Sequence, residues 1–393
     1  MTTLAKCAVL MLGLASCSRT ETYGFVAVLG DDTTSVERVT RSGNRIIGDA
    51  IGRSPTVTRR HWEADLASDG VITSWSMDAY IPNAPPAAQR IQYTARFTGG
   101  TTSFTRRTAA ADTSWAYRKE YAETVPWNAF VYATWELMLD AARRQKDPHT
   151  ARIGQYFFQG WDEGHVGYAD ITHEGNGSYA ISSTGLAGSG IARVDSNGRM
   201  VSYSGQGTTY KQEVRRTADG PDIDAIAARF AAAEKRTGLA RSLSPRDTVR
   251  ATVGEAALTL DYSRPARRGR TLVGGLLPYD EVWRTGANAA TQLTTTAPIE
   301  LAGVPLRPGT YTLFTLPGRD AVALVINGES GQWGTEYDAS RDIARRPMTV
   351  DSTPGNVELF TIRVDDAGKS DGASRLVMEW GPFRWSAPIR TAY

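Results

Sequence analysis

Arg375-Leu-Val-Met-Glu-Trp380 alternates, with Leu376, Met378 and Trp380 on one side and Arg375 and Glu379 on the other. Successive side chains of a strand point to opposite faces, so this stretch reads as an antiparallel strand with one face in a core and one in water. Comparable runs lie at Ala257–Tyr262, Thr291–Thr296, Thr310–Leu316, Ala321–Ile326, Val357–Val364 and Phe383–Ala387. Their number and spacing, with helix signals nearly absent, predict an antiparallel β-sandwich over residues 248–393.

Working outward, residues 17–220 are also punctuated by Asp-Gly and Asn-Gly turns, the pattern of a second antiparallel β domain. Ala64-Asp-Leu-Ala-Ser-Asp-Gly70-Val-Ile-Thr-Ser-Trp-Ser76 echoes Ala192-Arg-Val-Asp-Ser-Asn-Gly198-Arg-Met-Val-Ser-Tyr-Ser204, each a hairpin about its turn. Between the two copies, Trp127, Phe130, Val131, Trp135, Met138, Leu139 and Ala142 recur at helical spacing. They predict an amphipathic helix over 126–145, with Pro126 in its first turn and Glu136, Asp140 and Arg143 on its solvent side. Laid against a curved sheet, that helix would give the half-barrel layout that resembles periplasmic lipoprotein carriers. Residues 221–247 read as an alanine-rich helical connector. The fold class expected is therefore mainly β, in two domains.

The N-terminus adds an address. Lys6, an apolar stretch to Ala15 and Leu14-Ala15-Ser16-Cys17 form a signal-peptide layout over residues 1–16. The apolar stretch falls well short of the ~20 residues a membrane-spanning helix needs. Small residues before Cys17 resemble the lipobox of bacterial lipoproteins, which implies lipid on Cys17, the only thiol left once Cys7 is removed. The partner so implied is a membrane, with Ser18 favouring an outer membrane facing the periplasm in a host with two membranes. Lys and Arg number 44 against 42 Asp and Glu, so no basic excess supports nucleic-acid binding.

Catalytic and cofactor signatures are mostly negative. All four histidines, His61, His149, His165 and His173, precede residue 248. The sandwich segment thus lacks histidine and cysteine, and its single lysine, Lys369, sits in a polar loop, which argues against a Ser-His or Ser-Lys nucleophile there. Gly328-Glu-Ser-Gly331 misses a nucleophile elbow, and Gly185-Leu-Ala-Gly-Ser-Gly190 precedes a strand rather than a helix. His165 and His173, eight residues apart on one strand, would stand roughly 26 Å apart, too far to share an ion. No metal, cofactor or catalytic residue is assigned.

One long motif remains. Tyr262-Ser-Arg-Pro-Ala-Arg-Arg-Gly-Arg270-Thr-Leu-Val-Gly-Gly-Leu-Leu-Pro-Tyr279-Asp-Glu-Val-Trp283-Arg284-Thr-Gly-Ala-Asn288-Ala-Ala-Thr291 is followed by Pro308-Gly-Thr-Tyr311 and by Gly331-Gln-Trp333-Gly334 to Tyr337-Asp338. This pattern resembles the bacterial domain of unknown function 2911. Ala289 stands where members often carry an acidic residue, and Val273 where an aromatic is common. The resemblance implies no reaction, so the residue types must be read directly. Arg264, Arg270 and Arg284 are planar donors, and Tyr262, Tyr279, Trp283, Asn288 and Trp333 are amphipathic contact residues. Converging, these eight would bind an anionic or sugar-like ligand; alternatively, arginines beside aromatics staple loops by stacking. The expectation is a non-enzymatic envelope lipoprotein that binds or scaffolds. The alternatives are a glycan hydrolase using Asp280, Glu281 or Asp338 as carboxylates, and a carrier sheltering a lipid between helix and sheet.

Overall fold

The computed structural model describes residues 20–392, apart from 54–56, 83, 119, 148, 159–163, 185–188, 206–210, 238–242 and 366–373. Cys17 and the signal segment, Asp162, Lys369 and most of the Gly185–Gly190 stretch lie outside the described residues.

Fifteen strands form the first sheet. Before the long helix run β1 (Thr20–Leu29), β2 (Asp32–Ser42), β3 (Arg45–Arg53), β4 (Val57–Leu66), β5 (Ile72–Tyr80), β6 (Arg90–Phe97), β7 (Thr101–Arg107), β8 (Asp112–Arg118) and β9 (Thr124–Trp127). After helix α1 (Tyr132–Arg143) come β10 (Thr150–Phe157), β11 (Val166–Gly175), β12 (Ser178–Ser183), β13 (Gly190–Val194), β14 (Met200–Ser204) and β15 (Glu213–Thr217). The two runs join in the middle, where β1 pairs with β15, so the order is β8 back to β1, then β15 back to β9. Both echoed segments are hairpins, β4–β5 and β13–β14, turning at Gly70 and Gly198 with positive φ.

The sheet is a curled half-barrel-like surface whose ends meet through side chains. Phe104 of β7 stacks on Tyr156 of β10, and the Tyr117 hydroxyl of β8 donates to the Gly164 carbonyl. Into the hollow goes α1, and this placement corrects two expectations. Pro126 is not in the helix: it belongs to β9, which pairs in parallel with β10, and the helix starts at Tyr132. Glu136 is not on a solvent face, being 2 % exposed, because the sheet wraps the helix on several sides.

That wrapping forces the helix to settle its polar groups internally. Val131, at the N-cap, has no side chain to accept from the first turn. Glu37 of β2 takes the role: its carboxyl accepts from the Ala133 N–H at 2.9 Å and from the Trp62 indole at 2.8 Å. Complete burial pushes Glu37 up to about 8, with these hydrogen bonds pulling the other way. One turn on, Glu136 accepts from Arg216 at 2.7 Å, the Met200 N–H at 2.9 Å, Tyr23 at 3.2 Å and Arg199 at 3.3 Å. Burial raises its pKa and the two arginines oppose the shift. Glu21 bridges the same arginines.

The space between helix and sheet is filled by rings. Trp135 lies 4.6 Å edge-on to Tyr203 and stacks on Trp127, and Tyr132 packs on Phe25. Side chains of this size each contribute roughly 1.5–3 kcal/mol when fully buried. Outside the sheet, α2 (Ile223–Thr237) seats Phe230 against Val36, Ile51 and Val57.

The second sheet has nine strands: β16 (Arg246–Val253), β17 (Ala256–Ser263), β18 (Thr291–Thr295), β19 (Ile299–Leu301), β20 (Val304–Leu306), β21 (Gly309–Pro317), β22 (Val322–Asn327), β23 (Asp342–Asp365) and β24 (Ser374–Thr391). Their order is β16-β17-β18-β21-β22-β23-β24-β19-β20, antiparallel throughout. The runs expected at Arg375–Trp380 and Phe383–Ala387 are one strand, β24, that turns at Gly381 with φ +58°. With β23, irregular between Ser352 and Thr361, it carries the sheet from one layer to the other around a shared core of Leu258, Leu293, Leu324, Phe360, Met378 and Trp385. The architecture is sandwich-like and mainly β, as the alternation implies.

Candidate functional site

The long motif runs from the end of β17 to the start of β18, and the structure divides its residues into three groups.

Two belong with the core, Tyr262 inside it and Trp283 packed against it. Tyr262 is 1 % exposed, its ring is edge-on to Phe360, and its hydroxyl accepts the Ile362 N–H at 2.9 Å. Burial raises its pKa. Trp283 stacks on Trp380 at 5.5 Å and meets Phe360 edge-on, while its backbone exchanges hydrogen bonds with Thr315 at 2.7 and 2.9 Å.

Two of the three named arginines are staples. Arg264 donates to the Phe360 carbonyl, Thr361 Oγ1 and Asp247, tying the end of β17 to β23 and β16. Arg270 donates to the carbonyls of Arg267 and Ala266 at 2.9 and 2.7 Å, closing its own loop. Burial, with Arg268 beside it, lowers it to about 10. Sequence reading missed the most connected member, Arg268. Its guanidinium pairs with Asp32 of the first sheet at 2.8 Å and donates to the Leu243 carbonyl at 3.0 Å. Its own carbonyl accepts the Asp31 N–H at 3.0 Å. Gly269, at φ +69°, lies so close that a Cβ there would sit 1.8 Å from the Asp31 carboxylate. The Arg-Arg-Gly-Arg part of the motif is thus the seat of the β1–β2 turn. No local pattern announces a contact between residues so far apart in the chain.

The third group is Tyr279, Arg284, Asn288 and Trp333. Tyr279 is partly exposed beneath the Arg319 guanidinium, 4.7 Å from the ring centre. Asn288 is exposed at φ +60°, and its carbonyl accepts the Gly334 N–H at 3.0 Å. Trp333 is half-buried, forms a backbone bridge with Ala289, and donates its N–H to Glu336. Arg284 differs from every other arginine of the motif. It is half-buried, burial lowers its pKa, and among the described residues its guanidinium has neither hydrogen bond nor ion pair. Its stem lies against Gly334, where a Cβ would stand 2.1 Å from the arginine Cδ.

The carboxylates considered for catalysis are all exposed. Asp338 caps the short 3-10 turn Ala339–Arg341 by accepting from the Ser340 N–H, which holds its pKa below the usual range. Asp280 adopts φ +61° and gives its N–H to Pro317. Of the histidines, His165 precedes β11 and His173 lies within it, stacked on Tyr179 at 4.7 Å. Among the described residues no group of three or more His, Cys, Asp or Glu could hold a metal ion.

The class so defined is a mainly β protein of two largely antiparallel bodies, tied by an arginine loop. Two solved structures are similar at the level of coarse shape. A DUF1089 family protein from Pseudomonas aeruginosa aligns over 45 % of this chain and 93 % of its own, at 12 % identity and TM-score 0.32. A β-barrel-like protein of domain of unknown function DUF1849 from Brucella abortus aligns over 52 % and 97 %, at 10 % identity and TM-score 0.33. No curated protein matches the chain. Residues 244–389 match the family model described as "Protein of unknown function (DUF2911)", so the second body is a domain of that family.

Proposed function

We propose that this is a non-enzymatic envelope lipoprotein that binds or scaffolds, anchored through lipid on Cys17 and, in a host with two membranes, held at the outer membrane facing the periplasm. The observation that carries the reading is the use of the motif's arginines. Arg264, Arg268 and Arg270 are spent on main-chain carbonyls and on Asp32 and Asp247, so the motif builds a two-part body and aims no reactive group at a cleft. The filled space around Trp135 and Tyr132 weighs against a sheltered lipid. The exposed Asp280, Glu281 and Asp338, one of them engaged in a cap, weigh against a glycan hydrolase. No helix among the described residues is long and apolar enough to cross a membrane.

Fractionation of cells expressing wild type and Cys17→Ala, with glycan hydrolysis assayed in parallel, tests this. Wild type is expected in the membrane pellet, the variant in the soluble fraction, and neither should cleave envelope glycans. Cleavage abolished by Asp280→Asn or Glu281→Gln would replace the reading with the enzymatic one.

A further inference from the structure

The two ends of β1 meet different neighbours, and that difference decides how an anchored chain would stand. Only Ser18 and Arg19 separate Cys17 from Thr20, where β1 begins. Fully extended, three residue steps reach at most about 11 Å. β1 lies at the centre of its sheet, with β2 to β8 on one side and β15 to β9 on the other, so its ends mark the two ends of the first body.

Several segments gather at the end where β1 begins. Thr20 pairs with Ser42, just before the β2–β3 turn, and the Leu66 N–H donates to the Asn44 carbonyl at 2.8 Å, which brings the β4–β5 turn alongside. On the other flank, Glu21 pairs at 3.2 Å with Arg199, at the foot of the β13–β14 turn. The last turn of α1 comes down between these hairpins: Arg143 donates to the Gly198 carbonyl at 2.9 Å, and a Cβ on Gly70 would stand 3.1 Å from the Arg144 guanidinium. At the opposite end is the second body. Asp32 pairs with Arg268 at 2.8 Å, the Asp31 N–H donates to the Arg268 carbonyl at 3.0 Å, and Lys211, just before β15, feels the charges of Glu281 and Arg270. Ten residues of strand rising about 3.3 Å each put roughly 30 Å between the two ends.

We infer that the rim made by the β2–β3, β4–β5 and β13–β14 turns and the C-terminal end of α1 is a contact surface for phospholipid headgroups, and that the second body is held off the bilayer at the far end of β1. This rests on the lipid anchor proposed above and adds an orientation to it. A tether of about 11 Å cannot cover the roughly 30 Å that turning the body over would demand. Lying flat is opposed by α2, which covers the outer face of β2 and β3 beside β1 through Phe230 and stands about 10 Å proud of it. The chemistry of the rim suits headgroups rather than hydrocarbon. Its exposed tips, Ser42-Gly43-Asn44, Ser68-Asp69 and Asp195-Ser196-Asn197, are short and polar, with no large apolar side chain to insert.

The test is fluorescence from single labelled cysteines on the full chain, lipidated in cells and reconstituted in vesicles of phosphatidylethanolamine and phosphatidylglycerol that carry a headgroup-labelled acceptor lipid. With Cys7 removed and Cys17 acylated, an introduced cysteine is the only free thiol. Asn44→Cys and Asn197→Cys put the label on the rim. Asp320→Cys puts it on the exposed β21–β22 turn, which the Asp280 N–H ties to the arginine-loop side through the Pro317 carbonyl. Melting temperatures equal to wild type's check that each variant folds. Energy transfer to the acceptor lipid should be severalfold stronger from both rim sites than from Asp320→Cys, and acrylamide quenching of the rim labels alone should fall on reconstitution. Equal transfer from all three sites, strongest transfer from Asp320→Cys, or rim labels quenched as freely on vesicles as in detergent would overturn the surface. Flotation separates the two claims. Protein that does not float with the vesicles removes the anchor and this surface together, whereas protein that floats but transfers equally from every site keeps the anchor and loses the surface.

Discussion

The two sheets use ionisable groups in opposite ways, one inside its core and the other at its edge. In the first, Glu37 and Glu136 are deep inside, yet each carboxyl is surrounded by donors: an indole and a helix N-terminus for one, two arginines, a tyrosine and a backbone N–H for the other. In the second, the motif's arginines work from the edge of the core, where Arg264, Arg268 and Arg270 hold main-chain carbonyls and the carboxylates of Asp247 and Asp32. Buried carboxyls ringed by donors hold the first body from within, whereas the arginine loop holds the second from its edge and ties it to the β1–β2 turn.

The comparison can be broken most forcefully at Glu136. Glu136→Ala strips the shared acceptor from Arg199, Arg216 and the Met200 N–H, and should cost about 3–5 kcal/mol, the range for removing one partner of a buried ion pair. Urea unfolding monitored by tryptophan fluorescence reads it; a change below 1 kcal/mol would mean the cluster is not structural. Glu37→Gln comes next. Its amide places a donor against either the Trp62 indole or the Ala133 N–H, a loss of about 1–3 kcal/mol.

Glu37 also makes stability depend on pH. Its folded pKa, about 8, lies above the ordinary 4.5, so the folded state holds this proton more tightly than the unfolded chain does. That contribution is complete below about 4.5 and is lost as pH rises through about 8. Melting temperature should therefore fall from pH 6 to 9 in wild type and fall less steeply in Glu37→Gln. Parallel profiles would remove the buried proton from the account.

Arg268→Ala tests the lock between the bodies and should cost about 1–3 kcal/mol through the orphaned Leu243 carbonyl, Asp32 keeping its second pair with Arg53 at 3.0 Å. Calorimetry should show one broad transition separating into two. At the small end, Arg45→Ala, which breaks the exposed pair with Glu63, should change stability by no more than about 0.5 kcal/mol. That variant serves as the baseline for the rest.

Local pattern carried much of this fold. The period-two runs located the central strands of the second sheet, and Asp-Gly and Asn-Gly located the β4–β5 and β13–β14 hairpins. The sequence misled where tertiary context decides. Glu136 has the spacing of a solvent-facing residue, and its partners, Arg199 from the β13–β14 turn and Arg216 from β15, are ones a linear pattern cannot bring near. Pro126 has the look of a helix start, but a short parallel strand needs no donor from it. In the candidate site, residue type named Arg284 but could not separate it from Arg264 and Arg270, whose partners are carbonyls without side-chain signature.

The most direct measurement is urea unfolding of Glu136→Ala beside Arg268→Ala. The account predicts a loss of about 3–5 kcal/mol for the first, whose partners are buried, and a clearly smaller one for the second. Equal losses, or a smaller loss for Glu136→Ala, would contradict it.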